Sequence, residues 1–231
     1  MPFPPTHPAL ERALAQQGYF EPTPVQAAVL AAPDTQDLLV SAQTGSGKTV
    51  AFGLAAARGL LGDAPRFQRA GPPLALVIAP TRELALQVSR ELNWLYAQAG
   101  AIVVNCVGGM DPRAERRGLQ AGCHIVVGTP GRLRDHLERG ALDLSALKVV
   151  VLDEADEMLD LGFREDLEAI LDSTPDTRRT LMFSATIAKE IANLARRYQR
   201  DALRIDTLRR DEAHGDIEYR AIRVAPNDVR S

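Results

Sequence analysis

The sequence predicts an α/β domain with a mostly parallel central sheet and helices on both faces. Three observations carry this. Short apolar, β-branched runs alternate along the chain with segments of 3.6-residue periodicity. Aromatics make up only 5% of a chain that is 45% hydrophobic, so the core must be built from Ala, Leu, Val and Ile, as strands covered on both faces require. The residues that carry chemistry follow the strands, and open α/β sheets bind ligands at that edge.

The elements follow in order. Asp37–Ala42 (DLLVSA) is an apolar strand run, and Thr49–Leu61 behind it is an Ala- and Leu-rich helix. Gly62–Pro73 (GDAPRFQRAGPP) reads as an exposed loop, because Gly and Pro break both periods. Leu74–Ala79 (LALVIA) is the second strand, and Arg82–Gln98 is a helix with apolar residues at Leu84, Val88, Leu92 and Leu95. Ile102–Val107 and His124–Gly128 are strands on either side of a helix over Pro112–Gln120, which opens on proline. Arg132–Arg139 is helical, Val149–Asp153 is a wholly apolar strand with an acidic end, and Glu165–Asp172 is the next helix. Thr180–Ser184, a helix over Lys189–Tyr198 and a strand over Leu203–Asp206 complete one domain over residues 1–206. Beyond it the chain turns polar (TLRRDEAHGD) and then offers an alternating run, Ile217–Val224. Residues 207–231 are therefore expected to be a linker and the start of a second domain cut short.

The bulk properties exclude several classes. A net charge of −3 and a pI of about 5.8 argue against a protein that wraps nucleic acid over its whole surface, so any such contact is a local patch. Cys106 and Cys123 lie in apolar stretches without CxxC or His at metal spacing, and are expected to be buried reduced thiols. No run approaches the roughly 18 apolar residues of a membrane span. The opening Met-Pro-Phe-Pro-Pro has neither the basic nor the apolar region of a signal peptide. A cytoplasmic protein, monomeric as this chain, is expected.

Residues 42–49 (AQTGSGKT) stand between strand and helix, the setting of a phosphate loop. Gly45 and Gly47 let backbone N–H groups turn inward as a nest for phosphate oxygens. The helix start adds positive potential. Lys48 can reach β and γ phosphates, and the Thr49 hydroxyl can bind Mg²⁺. The general pattern's first glycine is Ala42 here, which narrows the loop type. Val149–Asp156 (VVVLDEAD) is an apolar strand ending in carboxylates. Beside a phosphate loop, Asp153 is placed to hold Mg²⁺ through water and Glu154 to orient or deprotonate the attacking water. The catalytic candidates are Lys48, Asp153 and Glu154.

The string Asp-Glu-Ala-Asp at 153–156, together with AQTGSGKT, resembles the DEAD-box family of superfamily 2 RNA helicases, and further motifs follow in that family's order. Residues 18–26 (GYFEPTPVQ) look like the Q motif, Pro80–Ala85 (PTRELA) motif Ia, Gly108–Gly109 the GG motif, Thr129–Arg132 (TPGR) motif Ib and Ser184–Thr186 (SAT) motif III. The resemblance implies a RecA-like P-loop NTPase domain that uses ATP or ADP with Mg²⁺. It implies nucleotide contacts from Phe20, Glu21, Thr23 and Gln26, and from Gln43, Thr44, Gly45, Ser46, Gly47, Lys48, Thr49 and Val50. The Gln26 amide suits adenine, donating to N7 and accepting from N6. An aromatic stacking on the base is also implied, and Phe3 is its candidate, about two residues closer to Gly18 than the family spacing. RNA backbone contacts are implied for Pro80, Thr81, Arg82, Gly108, Gly109, Thr129, Pro130, Gly131 and Arg132, with Thr81 and Thr129 also able to cap helices. None of these reads bases, so sequence-independent binding is expected. Asp156, Ser184 and Thr186 are implied to couple nucleotide state to RNA, and Asp160–Arg164 (DLGFR) to face another domain. Arg113, Arg116 and Arg117 could add phosphate attraction.

The family's second RecA-like domain brings arginines to the ATP site in a His-Arg-x-Gly-Arg-x-x-Arg motif, and no such string follows Thr186. An arginine finger is worth about 10³–10⁵ in rate. The expected activity is therefore that of an ATP-dependent RNA helicase whose present chain binds nucleotide and hydrolyses it little. A DNA translocase with the same loop, or an RNA-binding scaffold gated by ATP, are the alternative readings.

Overall fold

A computed structural model describes residues 1–208. The strands are β1 (Leu38–Ser41), β2 (Ala75–Ile78), β3 (Val103–Cys106), β4 (Ile125–Gly128), β5 (Val149–Leu152), β6 (Arg179–Ser184) and β7 (Leu203–Asp206). They form one sheet in the order β3-β4-β2-β5-β6-β1-β7, and every strand pairing is parallel. The helices are α1 (Pro8–Gln16), α2 (Pro24–Leu30), α3 (Lys48–Leu61), α4 (Arg82–Leu95), α5 (Pro112–Ala121), α6 (Pro130–Glu138), α7 (Ala155–Asp160), α8 (Arg164–Asp172) and α9 (Lys189–Tyr198).

Strand alternation divides the core in two. In β2, Ala75 and Val77 face α1 to α4, while Leu76 and Ile78 face α5 to α9. In β5, Val149 and Val151 take the first side and Val150 and Leu152 the second. Both layers are aliphatic, as the composition requires. Phe52 and Phe183 meet edge to face in the first.

The sequence-derived strands and helices stand within about three residues of those observed, as expected of ends that fray. The helix from Arg82 stops at Leu95, and a 3₁₀ turn (Ala97–Ala99) continues to Gly100, which turns left-handed. Three helices stand beyond the expected ones: α1, α2, which starts within the Q motif and runs past it, and α7, which starts within the acidic motif and runs past it. The segment 62–73 is free of helix and strand except for an isolated bridge from Gly71 to Cys123. Both cysteines are free and buried, and burial pushes their thiol pKa values up. The run Ile217–Val224 lies outside the described residues. Among those described, no helix is long and apolar enough to cross a membrane.

Parallel order brings the C-terminal ends of β1, β5 and β6 side by side. The phosphate loop, the acidic motif and the Ser-Ala-Thr segment leave the sheet at these three ends.

Candidate active site and nucleic-acid interface

The loop after β1 turns on Gly45 (φ 78°) and Gly47 (φ 88°), left-handed values that cost glycine little. Gly47 has a second reason to lack a side chain. A Cβ there would stand 2.6 Å from Gln26 Nε2 and 3.1 Å from Thr23 Oγ1. Gln26 is buried and closes a capping box at the start of α2, its Oε1 accepting from the Thr23 N–H at 2.9 Å. Its Nε2 donates to the Gly47 carbonyl at 3.2 Å. The Q motif is thus tied to the phosphate loop, a bond that the sequence alone did not reveal. One N–H and one lone pair of the amide remain uncommitted.

Lys48 opens α3 at 6% exposure, its Nζ 3.2 Å from Asp153 Oδ1 and 3.5 Å from Glu154 Oε1. Asp153 is 1% exposed. Burial raises its pKa, and Lys48 works against that rise. Lys48 is the one cation beside Oδ1 among the described residues, and no further donor reaches this buried oxygen. Glu154 sits in the left-handed region (φ 51°), unusual for a residue with a Cβ. Its Oε1 accepts from Thr44 Oγ1 at 2.9 Å. Burial pushes its carboxyl up, but bonding to Glu157, Thr44 and Lys48 outweighs this and holds it below the usual range. Glu157, bonded to Glu154, is pushed up to about 7 by that bond, by burial and by the Glu154 and Asp156 charges.

Asp156 joins the acidic motif to the segment after β6. Its Oδ2 accepts from the Thr186 N–H and hydroxyl, both at 3.1 Å, and Ser184 Oγ accepts from the Asp156 N–H at 3.3 Å. Ser184 in turn donates to the Thr186 carbonyl at 2.7 Å.

The other candidates are placed unevenly. Phe20 is 68% exposed, and the Glu21 side chain meets the N-terminal ammonium at 3.6 Å. Phe3 is half-buried against the core on the α1–α4 side. Thr49 and Val50 are buried in the first turn of α3, and Ser46 donates to the Gln43 carbonyl at 2.6 Å.

A second cluster gathers motifs Ia, GG and Ib beside β2, β3 and β4. Thr81 caps α4, accepting from the Leu84 N–H at 3.2 Å. Thr129 occupies the cap position of α6 but makes no side-chain cap bond; Pro130 follows at the first helical position and has no N–H to offer. Gly109 is left-handed (φ 78°), and a Cβ on it would stand 2.7 Å from Arg82 Nη1. Gly108, Gly109 and Gly131 are exposed. Arg132 turns inward, donating through Nη1 to the Met110 carbonyl at 3.2 Å and to Glu115 Oε2 at 2.9 Å. Glu115, 6% exposed, also meets His136 Nε2 at 2.6 Å and accepts from the Val107 N–H at 2.9 Å.

Sequence reasoning did not single out Glu115 or His136. One acid in a basic helix and one histidine on an amphipathic helix carry no spacing signal. Cys106, Glu115 and His136 offer donor atoms within 4.8 Å of one another, all buried. Glu115 and His136 already satisfy each other and Arg132, so the cluster is a hydrogen-bonded strut for the GG loop.

A parallel sheet bearing a glycine loop with a buried lysine, faced by a strand-end Asp-Glu pair, defines a P-loop nucleotide-binding domain. The DEAD/DEAH box helicase family model matches residues 23–194, and the chain belongs to that family. It is 44% identical over 190 residues to the DEAD-box ATP-dependent RNA helicase CshA of Bacillus licheniformis, covering 82% of this chain and 38% of that protein. It is 45% identical over 200 residues to the ATP-dependent RNA helicase DeaD of Escherichia coli, covering 84% and 30%. A crystal structure of a DEAD box protein from the hyperthermophile Methanococcus jannaschii superposes with a TM-score of 0.80 at 35% identity, over 89% of this chain and 56% of that one. The fold is therefore RecA-like, and the chain spans well under half the length of these two curated relatives.

Proposed function

We propose that this chain is the ATP-binding RecA-like domain of an ATP-dependent RNA helicase. It would hold Mg-ATP at the phosphate loop and an RNA sugar-phosphate backbone along residues 80–82, 108–109 and 129–132. Residues 207–231 would lead into a second RecA-like domain, and closure of the two would bend one RNA strand and part a short duplex. The observation that carries this reading is Lys48 held between Asp153 and Glu154 at the mouth of the glycine loop.

Each residue's part follows from its surroundings. Lys48 would turn from the two carboxylates to the β and γ phosphates, and the loop N–H groups would hold the remaining oxygens. Asp153 Oδ1, buried with Lys48 alone beside it, would suit a cation or a water of its shell once Lys48 turns to phosphate, with the Thr49 hydroxyl as companion ligand. Magnesium held there would neutralise phosphate charge. Glu154 is kept ionised by Thr44 and Lys48 and can take a proton from the attacking water. The free N–H and lone pair of Gln26 match the N7 and N6 edge of adenine. Asp156, bonded to Thr186 and Ser184, links this site to the strand end beside it. Arg82 and the starts of α4 and α6 would meet phosphates and read no bases, giving sequence-independent binding. The protein would act in the cytoplasm as a monomer, with a second RecA-like domain's arginine completing the site for fast turnover.

Equilibrium retention of labelled Mg-ATP tests the reading. Lys48→Ala should weaken retention by roughly 10- to 100-fold, the worth of a charge-assisted bond, while Glu154→Gln should retain ATP. Undiminished retention by Lys48→Ala would contradict the assignment.

A further inference from the structure

The sheet edge opposite the phosphate loop, where the strands begin, holds a cleft of about 190 Å³ between β5, β6 and the later turns of α3. Four cations line it: Lys148, Arg178, Arg179 and Arg200. One acid, Asp34, lines it as well, but among the described residues no carboxylate oxygen lies within 4.0 Å of the charged group of any of the four cations. The nearby acids are engaged elsewhere. Asp34 pairs with Arg58 at 2.8 Å, and Asp37 turns its oxygens to the Thr180 and Arg200 N–H groups at 2.8 and 2.7 Å.

The floor of the cleft is buried positive charge. Arg178 and Arg179 are 7% and 8% exposed. Arg179 donates to the carbonyls of Gln36, Ala55 and Pro33, and Arg178 to those of Pro175 and Tyr198, with Nε left without an acceptor. Carbonyls satisfy N–H groups but do not neutralise a guanidinium. Burial accordingly lowers both pKa values, and outweighs the opposing pull of Asp37 on both, of Asp176 and Tyr198 on Arg178 and of Asp34 on Arg179. At the rim, Lys148 and Arg200 are exposed, and beyond one bond from Arg200 to the Arg178 carbonyl at 3.3 Å their donors are free for a ligand. This concentration of cations stands out in a chain of net charge −3.

We propose that this cleft is a second anion site, taking a phosphate or diphosphate group between Lys148 and Arg200 over the buried Arg178 and Arg179. The volume suits the size: it corresponds to roughly six waters at liquid density. Convergent cations favour an anion of more than one charge. The site is distinct from the phosphate loop, since β6 alone separates the two edges by roughly 15–20 Å.

A ¹H–¹⁵N NMR titration of the chain with sodium pyrophosphate reads both sites at once. Amides 43–49 report the phosphate loop, and amides 148–149, 177–179 and 200 report the cleft. The cleft set should shift saturably. In a Lys148→Ala/Arg200→Ala variant its dissociation constant should rise at least about tenfold, while the loop set stays unchanged and vouches for the fold. A 5′-phosphorylated RNA oligonucleotide that moves the cleft set, where its 5′-hydroxyl counterpart does not, would assign the phosphate to an RNA end. A response to pyrophosphate alone would assign it to a free anion, and either result supports the site. A cleft set that does not move, or moves equally in the double variant, would overturn it.

Discussion

Replacing Glu115 by alanine should destabilise the domain far more than its place on a basic surface helix suggests. The carboxylate is 6% exposed and serves three groups: the Arg132 guanidinium at 2.9 Å, His136 Nε2 at 2.6 Å and the Val107 N–H at 2.9 Å. Arg132, with a side chain 16% exposed, would lose its counter-ion. Removing one partner of a buried pair costs about 3–5 kcal/mol, and an orphaned buried N–H about 1–3. Water reaching Arg132 reduces the first figure, so a total near 4 kcal/mol is expected (order of magnitude). Glu115→Gln keeps the volume and an acceptor for Val107, and should cost about half as much. Urea denaturation gives both values, with the slope unchanged if only stability moves. A cost below about 1 kcal/mol for alanine, or equal costs for the two variants, would refute the strut.

Gly47→Ala forces a side chain into a left-handed position 2.6 Å from Gln26 Nε2. ADP affinity should fall roughly 10- to 100-fold, corresponding to about 1–3 kcal/mol of strain. Gly131→Ala, facing open space, should leave ADP affinity unchanged, and equal losses in isothermal titration would contradict the fit. Glu157 should titrate near pH 7 in ¹³C NMR of its carboxyl carbon, well above an ordinary glutamate. Because its folded pKa is raised, the folded state binds the proton more tightly, and stability from this group declines as pH rises from about 4.5 to 7. Glu157→Gln should flatten that slope, and a carboxyl midpoint near 4.5 in the parent chain would contradict the pairing with Glu154.

The central strands were legible as aliphatic runs between turn residues, as VVVL and ALVI show, and the edge strand LRID by its alternation of apolar and charged residues. The candidate nucleotide-site residues were legible because phosphate chemistry restricts residue type: only glycine turns cheaply at 45 and 47, and a lysine and a strand-end acid are called for beside them. What escaped depends on long-range contact. α2 is seven residues long and begins on the Thr23 capping box, which was read for adenine chemistry. Gln26 bonds a carbonyl 21 residues away, and Arg132 meets Glu115 at a separation of 17, pairings that no local period encodes. Thr129 has the residue type of a helix cap, but its hydroxyl makes no such bond. Arg132, read as a cation for RNA, is drawn inward by an acid whose burial only the tertiary fold decides.

Calorimetric titration with Mg-ADP and Mg-GDP, repeated on Gln26→Ala, tests the central claim most directly. The account predicts that ADP binds the parent chain, that GDP does not, and that Gln26→Ala loses the preference. Equal binding of ADP and GDP by the parent chain would leave a phosphate loop without an adenine reader, and would contradict the account.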